Sequence, residues 1–229
     1  DPNPQVDGAG IERMRAAGID VTVGVLEEEC LRLNRAFFTS QLHKRPYVTL
    51  KWAQSADGFI DLLREGGQAV KISSPVSQVA VHSLRAQSDA ILVGRHTALL
   101  DNPSLDIRHW AGRSPLRLVI DKKGTLSADL KIFDGTLPTI VYTACEEDGK
   151  FGKNVEQVVL DFSEPVLPQI LSHLNARKID NLLVEGGATV LQSFINASLW
   201  DEARVEINPS LELGSGVVAP SLAPYRPCS

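Results

Sequence analysis

The chain has 229 residues, of which 43% are hydrophobic and 22% charged, and its formal net charge is −5. It is long enough to bury a core and too apolar to be a disordered chain; its acidic balance argues against broad nucleic-acid binding but leaves room for a local basic pocket. No apolar run approaches the roughly 18 residues of a membrane span and no signal-peptide pattern opens the chain, while Cys30, Cys145 and Cys228 lack metal-site spacing and fit reduced thiols in a cytoplasmic protein.

Asp1-Pro2-Asn3-Pro4 reads as a proline-rich loop, as at the start of a fragment. Residues 10–17 can form a short helix with Ile11, Met14 and Ala17 on one face. Residues 18–25 alternate like a strand. Residues 26–38 predict one amphipathic helix, with Leu31, Leu33 and Phe37 toward a core and Glu27, Glu28 and Glu29 near its N-terminus, where the helix dipole favours them. The polar, proline-ended stretch 41–46 reads as a connector and marks a domain boundary.

Residues 47–53 predict a strand, closed by a polar turn at Asp57-Gly58. Gly66-Gly67 marks a loop. Ser74 and Pro75 fit the cap and first position of a helix running from residue 76 to about 87. Residues 89–94 form a continuous apolar run, as in a strand buried on both faces of a parallel sheet. Further strands are expected at 116–120, 139–142, 157–160 and 202–208, with a helix over 166–175. Repeated strand–helix–strand order predicts an α/β fold with a mostly parallel sheet and antiparallel strands at its C-terminal end.

Residues 181–190 are the most informative stretch. A strand-length apolar run ends in Glu185, Gly186 and Gly187, and apolar residues at helical spacing follow (Val190, Leu191, Phe194, Ile195). Adjacent glycines let backbone N–H groups approach a ligand, and the following helix N-terminus favours an anion. Glu185 falls at the strand end, the usual edge for ligand contacts in an open α/β sheet. A plain strand–helix turn reads the same way, and the lysine of a phosphate-binding loop is missing.

Residues 94–108 are dense in polar groups after a buried strand. If helical, Thr97 and Asp101 share a face. Arg108 and Arg85 can each grip a phosphate bidentately, although a lone arginine is more often a solvated surface charge. His96 fits a loop histidine, and Asp57 alone fits a tight turn. No Gly-x-Gly-x-x-Gly after a strand, Gly-x-Ser-x-Gly, His-Glu-x-x-His or Cys-x-x-Cys occurs, so metal and serine hydrolysis have little support and no metal site is expected.

In order along the chain, Lys51-Trp52-Ala53-Gln54-Ser55-Ala56-Asp57-Gly58, Ile72-Ser73-Ser74, Leu84-Arg85-Ala86-Gln87-Ser88-Asp89-Ala90-Ile91-Leu92-Val93-Gly94, Thr97 through Asp101-Asn102-Pro103-Ser104-Leu105 to Arg108, and Glu185-Gly186-Gly187 resemble one family. It is the reductase domain of the bifunctional riboflavin-biosynthesis deaminase/reductase, whose fold is similar to dihydrofolate reductase. The resemblance covers residues 46–229. Residues 1–45 resemble the tail of the preceding cytidine-deaminase-like domain plus a connector, through Gly8-Ala9-Gly10, Ala17-Gly18-Ile19 and Asn34-Arg35-Ala36-Phe37-Phe38.

The resemblance implies reduction of 5-amino-6-(5-phosphoribosylamino)uracil to the ribitylamino compound, with NADPH as hydride donor. It implies cofactor contacts at Gln54, Thr97, Asp101, Thr143 and along Gly186, Gly187, Ala188, Thr189, Val190, Leu191, Gln192 and Ser193. Substrate contacts fall on Arg85, Leu105, Arg108 and Glu185, with Asp101 or Glu185 assisting proton transfer. Lys122 or Lys123 is the candidate for a cofactor 2′-phosphate. The implied partner is a small phosphorylated pyrimidine, with a homodimer compatible and neither nucleic acid nor membrane involved. Where many relatives show Ser-x-Trp, this chain has Ala69-Val70-Lys71; Asn102 replaces a frequent second Asp. The His-x-Glu and Pro-Cys-x-x-Cys deaminase signature is absent. A related reductase of another pterin or pyrimidine, and an inactive ligand-binding fragment, are the alternative readings.

Overall fold

The computed structural model describes residues 6, 8–64 and 66–223. Its strands are β1 (Tyr47–Ser55), β2 (Phe59–Asp61), β3 (Ala90–Gly94), β4 (Leu116–Ile120), β5 (Thr139–Thr143), β6 (Val155–Val159), β7 (Asn181–Gly186), β8 (Glu202–Asn208) and β9 (Val217–Val218). Its helices are α1 (Ala9–Ala16), α2 (Glu27–Leu33), α3 (Arg35–His43), α4 (Pro75–Ala86), α5 (Arg95–Asp101), α6 (Val166–Ala176) and α7 (Ala188–Asn196). Seven strands form one sheet in the order β6-β5-β4-β3-β7-β1-β8. Its neighbouring strands all pair parallel, so their carboxyl ends share one edge. Parallel strands need crossover connections that bring helices onto both faces, which is why all five residues of β3 are buried. Antiparallel pairing near the C-terminal end occurs in a separate sheet of β2 and β9, while β8 runs parallel to β1.

Alternating side chains sort into two cores. On one face Leu50, Leu92, Leu118, Leu182 and Val184 pack with Leu171 and Leu174 of α6 and Leu191 and Phe194 of α7. On the other, Ile91, Val93, Val119, Val141 and Leu183 pack with Ala98 of α5 and Leu84 of α4. Each fully buried aliphatic side chain contributes about 1.5–3 kcal/mol, so these two layers dominate the cohesion of the fold. The start of α4 follows the sequence: Pro75 opens it and the Ser74 hydroxyl accepts the Ser77 N–H at 3.1 Å.

The segment before β1 departs from expectation. Residues 18–25 form no strand, because no strand among the described residues pairs with them; Val23 and Val25 are 60% and 67% exposed. The helix expected over 26–38 is two helices, α2 and α3, separated at Asn34. Leu31 and Leu33 face solvent rather than a core, and α2 has no buried residue. By contrast α3 is docked: the Arg35 guanidinium lies 5.2 Å from the centre of the Tyr47 ring, and the Ser40 hydroxyl donates to Asn175. The connector is held as well, since Arg45 donates to both oxygens of Asp201 at 2.6 and 2.9 Å.

The topology also sets the position of the crevice. From β3 the chain goes on to β4, and from β7 to β8, in opposite directions along the sheet. The helices that follow, α5 and α7, pack on opposite faces. The tips of β3 and β7 are therefore a topological switch point, where an open α/β sheet forms its ligand crevice.

Candidate active site

The tip of β7 carries a bulge. Against β3, Leu92 pairs with Val184 and Val93 with Gly186, which leaves Glu185 as the extra residue. Bulges re-aim side chains, and Glu185 meets Arg85 of α4. The Arg85 Nε and Nη2 donate to the two carboxylate oxygens at 2.8 and 2.6 Å, and Nη1 donates to the Asp106 carbonyl at 3.0 Å. The two side chains are only 12% and 11% exposed. Burial works to raise the Glu185 carboxyl, but the charge and hydrogen bonds of Arg85 outweigh it, with Lys51 adding, so its pKa lies below the usual carboxylate value. Burial likewise works against the Arg85 charge, and Glu185 more than compensates.

The loop after α5 is fixed from several sides. Asn102 and Leu105 adopt left-handed backbone angles, φ 41° and 51°. The Asn102 side chain accepts the Lys131 N–H at 2.7 Å, the fully buried Arg117 donates to the Ser104 carbonyl at 3.3 Å, and the Arg108 N–H donates to His82 Nδ1 at 3.1 Å. The Leu105 side chain is buried in the core, so its backbone is what a ligand can meet. The Arg108 side chain is 61% exposed, with Nε 3.1 Å from Asp106 Oδ1. It is the open cation of this cluster, whereas Arg85 is committed to Glu185. Asp101, at the end of α5, accepts from Arg64. Burial lowers the pKa of His82, reinforced by Arg85, His109 and Arg108, which keeps the ring neutral and its Nδ1 free to accept.

On the other side of β7 lies a cradle without side chains. Gly186 has φ 137°, is joined to Gly187 by a cis peptide bond, and leads into α7, whose cap residue Gly187 provides no side-chain hydrogen bond. A Cβ on Gly187 would stand 3.2 Å from Thr97 Oγ1, and one on Gly94 only 2.7 Å from Val190 Cγ2. Glycine at both positions lets α7 close onto the tip of β3. Ala188 and Val190 are half-buried and Thr189 is exposed, while Leu191 points into the core. The Gln192 side chain bonds Asn196 and the Ser221 N–H, and the Ser193 hydroxyl donates to the Thr189 carbonyl. Gln54, near the end of β1, accepts the Trp52 indole N–H at 2.8 Å. Thr143 ends β5, three strands from β7 and so roughly 14 Å along the edge; its hydroxyl donates to the Cys145 carbonyl.

The fold thus brings Arg85, Glu185 and Arg108 together on the α4 side. Thr97 stands beside the glycine turn, with Asp101 one helical turn farther along α5, while Gln54 and Thr143 flank the turn along the same edge. Three residues with no role assigned from sequence join them. Lys51 of β1 acts electrostatically on both Glu185 and Glu206 and borders a groove of about 260 Å³ with Ser77, Arg204 and Glu206. His82 supports the Arg108 loop, and Arg64 holds Asp101. The helical spacing of His82 and Arg85, three apart on α4, was the one signal the sequence offered for His82. Asp57 does more than turn the chain, accepting the Leu213 and Gly214 N–H groups. Lys71, Lys122 and Lys123 are exposed. Among the described residues no helix is long and apolar enough to cross a membrane, and no cluster suits a metal ion.

Residues 46–224 match the family model of the RibD C-terminal domain. The chain is 38% identical over 221 residues to the riboflavin biosynthesis protein RibD of Aquifex aeolicus, covering 95% of this chain and 61% of that protein. It superposes on a diaminohydroxyphosphoribosylaminopyrimidine deaminase/5-amino-6-(5-phosphoribosylamino)uracil reductase from Thermotoga maritima with TM-score 0.85 and 36% identity, over 100% of this chain and 62% of that one. A riboflavin biosynthesis reductase from Saccharomyces superposes with TM-score 0.59 and 26% identity, over 82% of this chain and 88% of that one. The chain therefore spans about three fifths of the length of the RibD protein it matches.

Proposed function

The chain belongs to the RibD C-terminal domain family, and from that premise we propose that it reduces 5-amino-6-(5-phosphoribosylamino)uracil to the ribitylamino compound, with hydride from NADPH. The observation that carries the reading is the meeting, at the tip of β7, of the Arg85–Glu185 pair with the glycine cradle of α7.

The residues present fit a dinucleotide. The uncapped N-terminus of α7 offers N–H donors and a positive dipole end to a pyrophosphate, and the missing Cβ atoms at Gly94 and Gly187 let that N-terminus sit close against the tip of β3 and Thr97. Thr97, Gln54, Asp101 and Thr143 line the rest of its path, with Lys122 or Lys123 available to a 2′-phosphate. When bound, the nicotinamide supplies the hydride. Arg108, exposed and fixed through its backbone N–H, takes the substrate phosphate. Glu185, held ionised by Arg85, accepts a hydrogen bond from the substrate and fixes its orientation; orientation of this kind is worth several kcal/mol of barrier. Asp101 or Glu185 assists the proton transfers that accompany ring opening.

The proposal assigns residues 1–45 to the end of a deaminase-type domain, a reading that the exposed Val23, Val25 and Leu33 support. No deamination is assigned to these 229 residues, which lack the His-x-Glu and Pro-Cys-x-x-Cys signature. A cytoplasmic homodimer completes the proposal, and the free thiols of Cys30 and Cys145 fit a reducing compartment. The test follows nicotinamide absorbance with NADPH or NADH, with and without the phosphoribosylaminouracil. Oxidation that needs the substrate and prefers NADPH is expected; oxidation indifferent to the substrate would refute the reading.

A further inference from the structure

Arg64 sits in the loop after β2, yet its side chain is only 10% exposed. Nε donates to Asp61 Oδ2 at 2.6 Å, Nη1 to the carbonyls of Gly67 and Leu100 at 3.0 and 3.2 Å, and Nη2 to Asp101 Oδ1. Asp61 completes the fastening, since its Oδ1 accepts the N–H groups of Leu62 and Val70 at 3.0 and 3.2 Å. The loop is thus gathered at both ends onto one guanidinium.

The placement of that guanidinium gives the contact its meaning. Strand β2 continues from β1, whereas Asp101 ends the helix that follows β3, and β7 lies between β1 and β3 in the sheet. The Arg64–Asp101 bond therefore links the two banks of the crevice whose floor is the Glu185–Gly186–Gly187 tip. We propose that Arg64 is a positioning residue that straps this loop across the crevice and sets the Asp101 carboxylate as an acceptor for a hydroxyl or amide N–H of the bound nucleotide. This rests on the reductase reading above. With Oδ1 taken by Arg64, Oδ2 is the oxygen left to the ligand. Without the guanidinium, Asp61 and Asp101 face each other as like charges, and the loop loses its hold on α5. A lysine can hold a carboxylate as a point charge but not the planar fork that also serves Gly67 and Leu100.

The experiment compares the parent chain with Arg64→Ala, Arg64→Lys, Asp101→Asn and the Arg64→Ala/Asp101→Asn double variant in NADPH-dependent turnover. The expected result for Arg64→Ala is a KM for NADPH raised about tenfold, with any fall in kcat no larger than in Asp101→Asn, and partial recovery in Arg64→Lys. Because Arg64 acts through Asp101, the double variant should bind NADPH no worse than Asp101→Asn alone. A parental KM in Arg64→Ala, or losses that multiply in the double variant, overturns the positioning role. A ligand-free arm reads the strap itself: amide hydrogen exchange at residues 62–64 and 66–70 should quicken in Arg64→Ala, and unchanged exchange there overturns the strap whether or not the chain is a reductase. A parent that never oxidises NADPH in a substrate-dependent way overturns the reductase reading and, with it, the role of Asp101 toward the nucleotide, while the exchange result still decides the strap.

Discussion

Removing the Arg85 guanidinium isolates the electrostatics of the site. In the parent chain the Glu185 carboxyl lies below its ordinary value of 4.5. The pair therefore contributes its full stability above that pH and loses it as pH falls through the lower folded-state value. In Arg85→Ala the burial remains and the principal counter-charge is gone, so the carboxyl pKa rises and the buried charge becomes a penalty at neutral pH. Breaking a buried pair from one side costs about 3–5 kcal/mol. The two side chains keep 12% and 11% exposure and Lys51 still acts on Glu185, which points to the lower end, about 3 kcal/mol. For a chain of this length that corresponds to a fall in Tm of roughly 6–12 °C. Thermal unfolding followed by circular dichroism at about pH 7.5 and about pH 4.5 measures it. The gap between parent and variant should shrink at the acid pH, where the variant's carboxyl takes up its proton. Arg85→Met/Glu185→Leu, which removes both charges, should recover most of the lost stability. A variant Tm within about 2 °C of the parent at neutral pH, or a gap that widens toward acid, would refute the reasoning.

Gly94→Ala should cost about 1–3 kcal/mol and weaken nucleotide binding, since the new Cβ meets the stiff Val190 side chain at 2.7 Å; Val190→Ala in the same chain should restore both, as read by chemical unfolding and by nucleotide titration. The pKa of His82 is lowered from 6.5, so its stabilising contribution is present above that pH and is lost as pH falls through the folded-state value. The KM for the phosphorylated substrate should accordingly climb on acidification as Nδ1 ceases to accept the Arg108 N–H. His82→Asn, which keeps an acceptor there, should flatten that profile, and a parental slope in the variant would count against the assignment. Arg108→Ala should raise the KM for the phosphorylated substrate by about tenfold or more, a loss of about 1.4 kcal/mol, and leave the dephosphorylated compound unaffected. Equal effects on both compounds would remove Arg108 from the phosphate site.

Much of the architecture was legible from local pattern. The unbroken apolar run of β3, the Ser74-Pro75 start of α4 and the apolar-to-glycine change after β7 are each written in a few neighbouring residues, and each element formed within a residue or two of its expected bounds. The failures came where local pattern needs a distant partner. Residues 18–25 alternate as a strand does, but alternation makes a strand only when another edge is there to pair. The apolar spacing over 26–38 marks a face without saying whether a core lies under it, and none lies under α2. Nothing in the alternation of β8 encodes whether it runs with or against β1. The site divides in the same way. Glu185 and the two glycines stood out in the sequence, but the bulge that turns Glu185 toward Arg85 exists only in the pairing with β3. Arg85 and Glu185 are 100 residues apart, and Arg64 and Asp101 are 37 apart, so neither pair leaves a mark on any short stretch of chain.

The most direct test of the central claim traces the hydride. The reduction would be run with NADPH deuterated at each of the two nicotinamide C4 positions in turn, and the ribitylamino product weighed and its label located. One of the two labelled cofactors, and only one, should give a product heavier by a single deuterium at the former ribose C1. Product without label from either cofactor, or label at another carbon, would contradict direct hydride transfer in the crevice at the tip of β7.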